Sequence, residues 1–180
     1  MDWILTFRRW VRLLCVTLAT VGALALMVMM FLIAFDVIGR DVLDNAILGT
    51  FEVVEYLMVP TVFLALAYAQ LEDTHINVDV AIQFLSRRTR AALGVVTLLL
   101  TLGVFLPMTW VGYREAMQVY VQRQVSTVLL IPRWPFQVLM VIGLVAFCLA
   151  IVADMLVAIA RASGMEIDPK ERSGEKLVAE

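Results

Sequence analysis

The chain has a single histidine, His75, among 180 residues. A haem held between two imidazoles needs two, so that cofactor site is excluded within the chain. There are two cysteines, Cys15 and Cys148, each inside an apolar run. Neither a cysteine zinc site nor a thiol–quinone relay is built from so few, and they read as buried, unreactive thiols. Charged residues make up 17% of the chain and the formal net charge is −2, so no basic field points to nucleic acid. There is no glycine-rich phosphate loop, no nucleophile–base–acid set, no metal-ligand spacing, no internal repeat and no strict G-x-x-x-G pair. A catalytic or cofactor site is therefore not expected. Long polar stretches are also missing. Hydrophobic residues reach 62%, where a soluble domain has about 45–50%.

What is present is four apolar runs. They cover residues 13–35, 50–69, 91–112 and 136–160. Each is close to the ~20 residues that a membrane-spanning helix needs. The first holds no charge; the second carries Glu52, Glu55 and Pro60; the third carries Pro107; the fourth carries Asp154. None alternates as barrel strands do, and a bilayer admits only helices or closed barrels. The expected fold class is an all-α integral membrane protein with four transmembrane helices. The first run exceeds the ~7–15 residues of a signal-peptide core, so it reads as a retained helix despite the Arg8-Arg9 pair.

Flanking segments complete the domain plan. Residues 1–12 form an arm with Trp3, Ile4, Phe7, Trp10 and Val11 on one helical face and Arg8, Arg9 and Arg12 on the other. That pattern suits an interfacial helix on anionic membrane lipids, or an extension of the first span. In the second loop Val78, Ala81, Ile82 and Leu85 have helical spacing, with Asn77 as a cap and Asp79 at the positive end, which reads as a second interfacial helix or as an extension of a neighbouring span. Residues 13–160 are the four-helix domain. The tail, 161–180, is polar, is broken by Gly164, Pro169 and Gly174, and is expected to be disordered.

Basic residues set the orientation. Ten lie in the arm (Arg8, Arg9, Arg12), the second loop (Arg87, Arg88, Arg90) and the tail (Arg161, Lys170, Arg172, Lys176). Four lie on the opposite side: Arg40, Arg114, Arg123 and Arg133. Both termini are then expected in the cytoplasm, and loops 36–49 and 113–135 outside.

Few residues could carry chemistry. Glu52 and Glu55 are i, i+3 near one face of the second helix. Two carboxylates at the bilayer centre would cost roughly 5–7 kcal/mol, but near the helix start the cost falls and the helix dipole favours them. They read as an outer-interface pair, bonded to Arg40 or to a partner's arginine, with a proton or cation site as the alternative. Asp36 and Arg40, at i, i+4, can pair with each other. His75 reads as an interfacial hydrogen bonder, and Asp154 as a group that snorkels at the inner end. Pro60 and Pro107 kink their helices or seat a neighbour; Gly94, Gly103 and Gly143 permit close packing.

Four stretches carry a family resemblance: Phe35-Asp36-Val37-Ile38-Gly39-Arg40; Gly49-Thr50-Phe51-Glu52-Val53-Val54-Glu55; His75-Ile76-Asn77-Val78-Asp79; and Ser126-Thr127 followed by Leu129, Ile131, Pro132 and Trp134. In this order among four helices, the chain resembles the small permease subunit, DctQ type, of tripartite ATP-independent periplasmic (TRAP) transporters. The resemblance implies no enzyme activity and no cofactor. It implies two partners: a large permease subunit that carries the substrate and Na⁺ sites, and a periplasmic binding protein that delivers an organic acid. The small subunit would be a scaffold in the bacterial inner membrane. Asp36, Arg40, Glu52, Glu55 and His75 become candidates for the subunit interface, and Arg114, Arg123 and Arg133 for contact with the binding protein.

Two other classes compete. A haem-free membrane anchor of a respiratory enzyme is compatible with one histidine. A self-contained exporter is disfavoured by the edge position of Glu52 and Glu55.

Overall fold

The structure, a computed structural model, describes residues 2–44, 47–73 and 87–162. Among these residues four helices follow one another: α1 (Asp2–Leu43), α2 (Thr50–Asp73), α3 (Arg87–Val121) and α4 (Trp134–Ala162). All four contain stretches long and apolar enough to cross a membrane. The chain is an all-helical multi-pass membrane protein. His75, the amphipathic stretch 78–85 and the tail from 163 lie outside the described residues.

The helices overrun the apolar stretches that announce them. α1 has 42 residues, about 63 Å of helix at 1.5 Å per residue against a hydrocarbon core of about 30 Å. Hydropathy marks where the lipid is; backbone hydrogen bonding continues past it. Residues 2–12 are accordingly the first turns of α1 and not a separate helix. The apolar face expected on that arm is divided: Val11 is buried and Phe7 packs on the core, while Trp10 is 70% exposed. α3 likewise runs on to Val121, nine residues beyond the expected end at 112.

α4 is the central element. It packs against α1, α2 and α3, whereas α3 packs chiefly on α4. Small residues explain the choice, because without a hydrophobic drive between helices in lipid, close backbone approach decides which faces meet. On α4 these are Gly143, Ala146, Ala150 and Ala153; a Cβ on Gly143 would stand 2.7 Å from the Phe63 carbonyl oxygen. Gly94 and Gly103, expected to serve the same purpose on α3, have nothing within 4 Å and pack against no neighbour. Val11, Cys15, Ala67, Phe147 and Ile151 close the core at the end that carries the termini, and the Phe105 and Phe147 rings meet at 4.5 Å. Asp154 is buried at 5% exposure and does not snorkel outward, because α4 is enclosed by its neighbours there. Both cysteines are free; Cys15 is buried and Cys148 lies 3.6 Å from the Thr109 hydroxyl.

Threonine hydroxyls inside the spans return to the backbone. Thr17, Thr20, Thr61, Thr97, Thr101 and Thr109 each donate to a carbonyl three or four residues earlier. In hydrocarbon this removes an unsatisfied donor at little cost. Pro60 and Pro107 sit within uninterrupted helices. The outward faces remain apolar, with Leu100 at 68% and Trp110 at 63% exposure. Such surface must be covered by lipid or protein.

Candidate functional site

Among the described residues the polar bonds between elements gather at the loop end, where α1 ends, α2 begins, and α3 turns into α4.

The first loop is tied by Asp36. Its carboxylate is almost fully buried; Oδ2 accepts from Arg40 Nη2 at 2.6 Å and Oδ1 accepts from the Ile47 N–H at 2.9 Å. The i, i+4 pair is the one its spacing predicts, with the added function of anchoring a loop eleven residues on. Arg40 is half exposed and its guanidinium sits 5.7 Å from the centre of the Phe51 ring. Gly49 then turns the chain with φ +86°, a region that only glycine enters freely. Thr50 donates both its hydroxyl, at 3.1 Å, and its N–H to the Ile47 carbonyl, and the Val53 N–H finds the Gly49 carbonyl, which ties the start of α2 to the loop before it.

The second loop is a short hairpin. α3 closes with Arg123 N–H bonded to the Tyr120 carbonyl and Gln124 N–H to the Val119 carbonyl, while Arg123 takes φ +48°. These bonds and that dihedral are a Schellman cap. The two arms of the hairpin are joined by Ser126 N–H to Ile131 O and Arg133 N–H to Gln124 O, and the Ser126 hydroxyl accepts the Ile131 N–H at 3.2 Å. Leu130 holds φ +53° at its tip.

Glu52 joins the two loops. Oε1 accepts the N–H groups of Thr127 and Val128 at 2.8 and 2.7 Å, and Oε2 accepts that of Leu129 at 3.0 Å. Three successive amides aimed at one carboxylate form an anion-binding concavity, here filled by the chain's own side chain. A Cβ on Gly49 would overlap the Leu129 side chain, so the glycine also makes room for the hairpin. Rings complete the seam: Arg133 lies 5.3 Å from the centre of Tyr56, Tyr56 stacks on Phe136 at 5.6 Å, and Tyr120 meets Trp134 edge-on at 5.6 Å.

This arrangement corrects the expected pairing of the two glutamates. Glu52 is not bonded to Arg40; its carboxylate is spent on backbone amides, and Arg40 is held by Asp36. Glu55 faces outward, exposed. Arg114 and Arg123 are exposed, whereas Arg133 is partly covered over Tyr56. The parts that residue-by-residue reading missed are Gly49, Ser126, Leu129 and the amides of 127–129. Their signal lay in two resemblance stretches that the clamp brings together.

Chemically, the loop end is a brace. Beside it, an apolar groove of about 310 Å³ opens between α3 and α4, lined by Tyr113, Met117, Tyr120, Trp134 and Val138 among others. None of its lining residues is charged, so it offers no counter-ion to an organic anion. Among the described residues no three His, Cys, Asp or Glu side chains are grouped to hold a metal ion.

A family model described as tripartite ATP-independent periplasmic transporters, DctQ component, matches residues 29–161. The chain belongs to this family. No curated protein and no solved structure matches the chain. The DctQ match takes in Asp36, Gly49, Glu52 and the whole hairpin, so the clamp lies entirely within the family region. The DctQ family is a transporter component and not an enzyme. The haem-free respiratory anchor is left without support.

Proposed function

We propose that this chain scaffolds the large permease subunit of a TRAP transporter in the bacterial inner membrane, with both termini in the cytoplasm. The observation that carries this reading is the DctQ match across the four helices and the clamp. In this reading the large subunit holds the translocation path. A periplasmic binding protein delivers an organic acid, and an ion gradient, of Na⁺, drives uptake. The uncharged groove and the internal use of Asp36 and Glu52 support a chain that braces and does not itself bind substrate. Ten basic residues against four support the orientation. The arm then meets the cytoplasmic leaflet. Arg114 and Arg123, both exposed, are the proposed contacts to the binding protein, with Arg133 contributing less because of its place over Tyr56. His75 stays a proposed interface residue of the second loop.

Extraction in gentle detergent tests the partnership: a much larger membrane subunit is expected to co-purify, and deletion of the chain is expected to abolish Na⁺-driven uptake of an organic acid. Transport by the isolated chain in liposomes would overturn the scaffold reading. For orientation, a Val128→Cys variant should react with an impermeant thiol reagent in cells whose inner membrane is intact, and Ser163→Cys only after that membrane is opened. The reverse pattern would overturn the orientation.

A further inference from the structure

Glu55 stands one turn inside α2, about 7–8 Å along the axis from Thr50. Its depth follows from neighbours: α2 and α4 run parallel, with Tyr56 against Phe136 and Phe63 against Gly143, so Glu55 is level with the first turn of α4. Its face is apolar on both sides. Phe51 (73% exposed) precedes it, and Met58, Val59 and Val62 follow at i+3, i+4 and i+7. Among the described residues no hydrogen bond or ion pair reaches Glu55. The chain's own cations nearby are engaged elsewhere: Arg40 with Asp36 and Phe51, Arg133 over Tyr56.

A face made for water would not carry Phe51 so exposed. A face made for lipid would not set a carboxylate in the middle of an apolar stripe, where it costs up to about 2.5–3.5 kcal/mol at the bilayer centre and less towards the edge. Glutamate is also too short to escape as lysine and arginine do.

We infer that the α2 face bearing Phe51, Glu55, Met58, Val59 and Val62 seats a membrane helix of the large permease subunit, with Glu55 paired to an arginine or lysine of that helix. The inference rests on the scaffold reading above and adds to it a surface and a partner chemistry. The two glutamates then have separate roles. Glu52 fixes this chain to itself, and Glu55 fixes it to its neighbour.

The experiment uses the full complex in native membranes. A photo-crosslinking residue is placed at Val62, and another at Leu100 as a lipid-facing control. Recovery of the large subunit is then measured for Glu55→Lys and Glu55→Gln, with thermal melting of the isolated small subunit as a check on its fold. Crosslinking from position 62 and not from 100 is expected. Glu55→Lys is expected to lower recovery severalfold with the melt unchanged, and a reversed charge on the crosslinked partner helix is expected to restore it. Full recovery with Glu55→Lys, or crosslinking from 100 and not from 62, would overturn the inference while leaving the scaffold reading in place. Crosslinking from 62 to phospholipid alone, with the large subunit still recovered, would overturn it equally. Absence of any large partner from the unmodified chain would overturn both.

Discussion

Leu129 donates its backbone N–H to the Glu52 carboxylate at 3.0 Å, across 77 positions of sequence. With the Thr127 and Val128 amides it makes the hairpin between α3 and α4 an extension of the first turn of α2. Because α3 has chiefly α4 as its neighbour, this bond set gives the α3 end of the hairpin a second attachment, to α2.

Replacing Glu52 by Gln leaves acceptor oxygen but removes the charge that draws three amides together. Hydrogen exchange at Thr127, Val128 and Leu129 is expected to rise severalfold in Glu52→Gln and further in Glu52→Ala, with the helices unaffected. Unchanged exchange there would mean that the hairpin holds its shape without the clamp.

Gly49→Ala meets two obstacles, a left-handed backbone and the Leu129 side chain. The dihedral alone costs about 1–2 kcal/mol. Thermal melting in detergent should show the loss, and Gly49→Ala with Leu129→Ala should recover only the steric part. Full recovery in the double variant would place the whole penalty in the contact.

Asp36→Ala strands the Ile47 N–H and releases Arg40, a loss of about 1–3 kcal/mol. Arg40→Ala should cost less, since its side chain is 51% exposed. Equal melting temperatures for the two variants would contradict the anchoring of the loop by Asp36.

Gly143→Ala presses a methyl onto the Phe63 backbone, and overpacking of this kind costs about 1–3 kcal/mol. Gly94→Ala and Gly103→Ala enter open space and should be neutral or slightly stabilising. The order of the three melting temperatures measures whether α2 and α4 meet as described.

Arg123→Gly removes a charge and relaxes the Schellman turn at the same time. Melting should stay level or rise by the equivalent of about 1 kcal/mol. If Arg123 contacts the binding protein, uptake at limiting binding protein should fall in this stable variant. Unchanged uptake would remove Arg123 from that contact.

Much of the fold was legible in the residues. Four apolar runs fix four helices because lipid thickness imposes a length, and the second run was expected to open at Thr50, where α2 begins. The Asp36–Arg40 pair was legible because a helix puts i and i+4 together. Helix ends were not: the runs 13–35 and 91–112 stop well short of Leu43 and Val121, since polar residues extend a helix outside lipid as readily as loops do. Glycines at comparable places in α3 and α4 also could not be told apart, because packing depends on which helix lies opposite.

The sequence by itself determined that this chain lives in a membrane, crosses it four times and belongs with the DctQ components, because hydropathy and short motifs are local and survive without knowledge of contacts. Only the tertiary structure decided that two glutamates three residues apart have opposite destinations. A helix sets them about 60° apart, and which of the two meets a row of unpaired amides depends on a hairpin that arrives from more than seventy residues away.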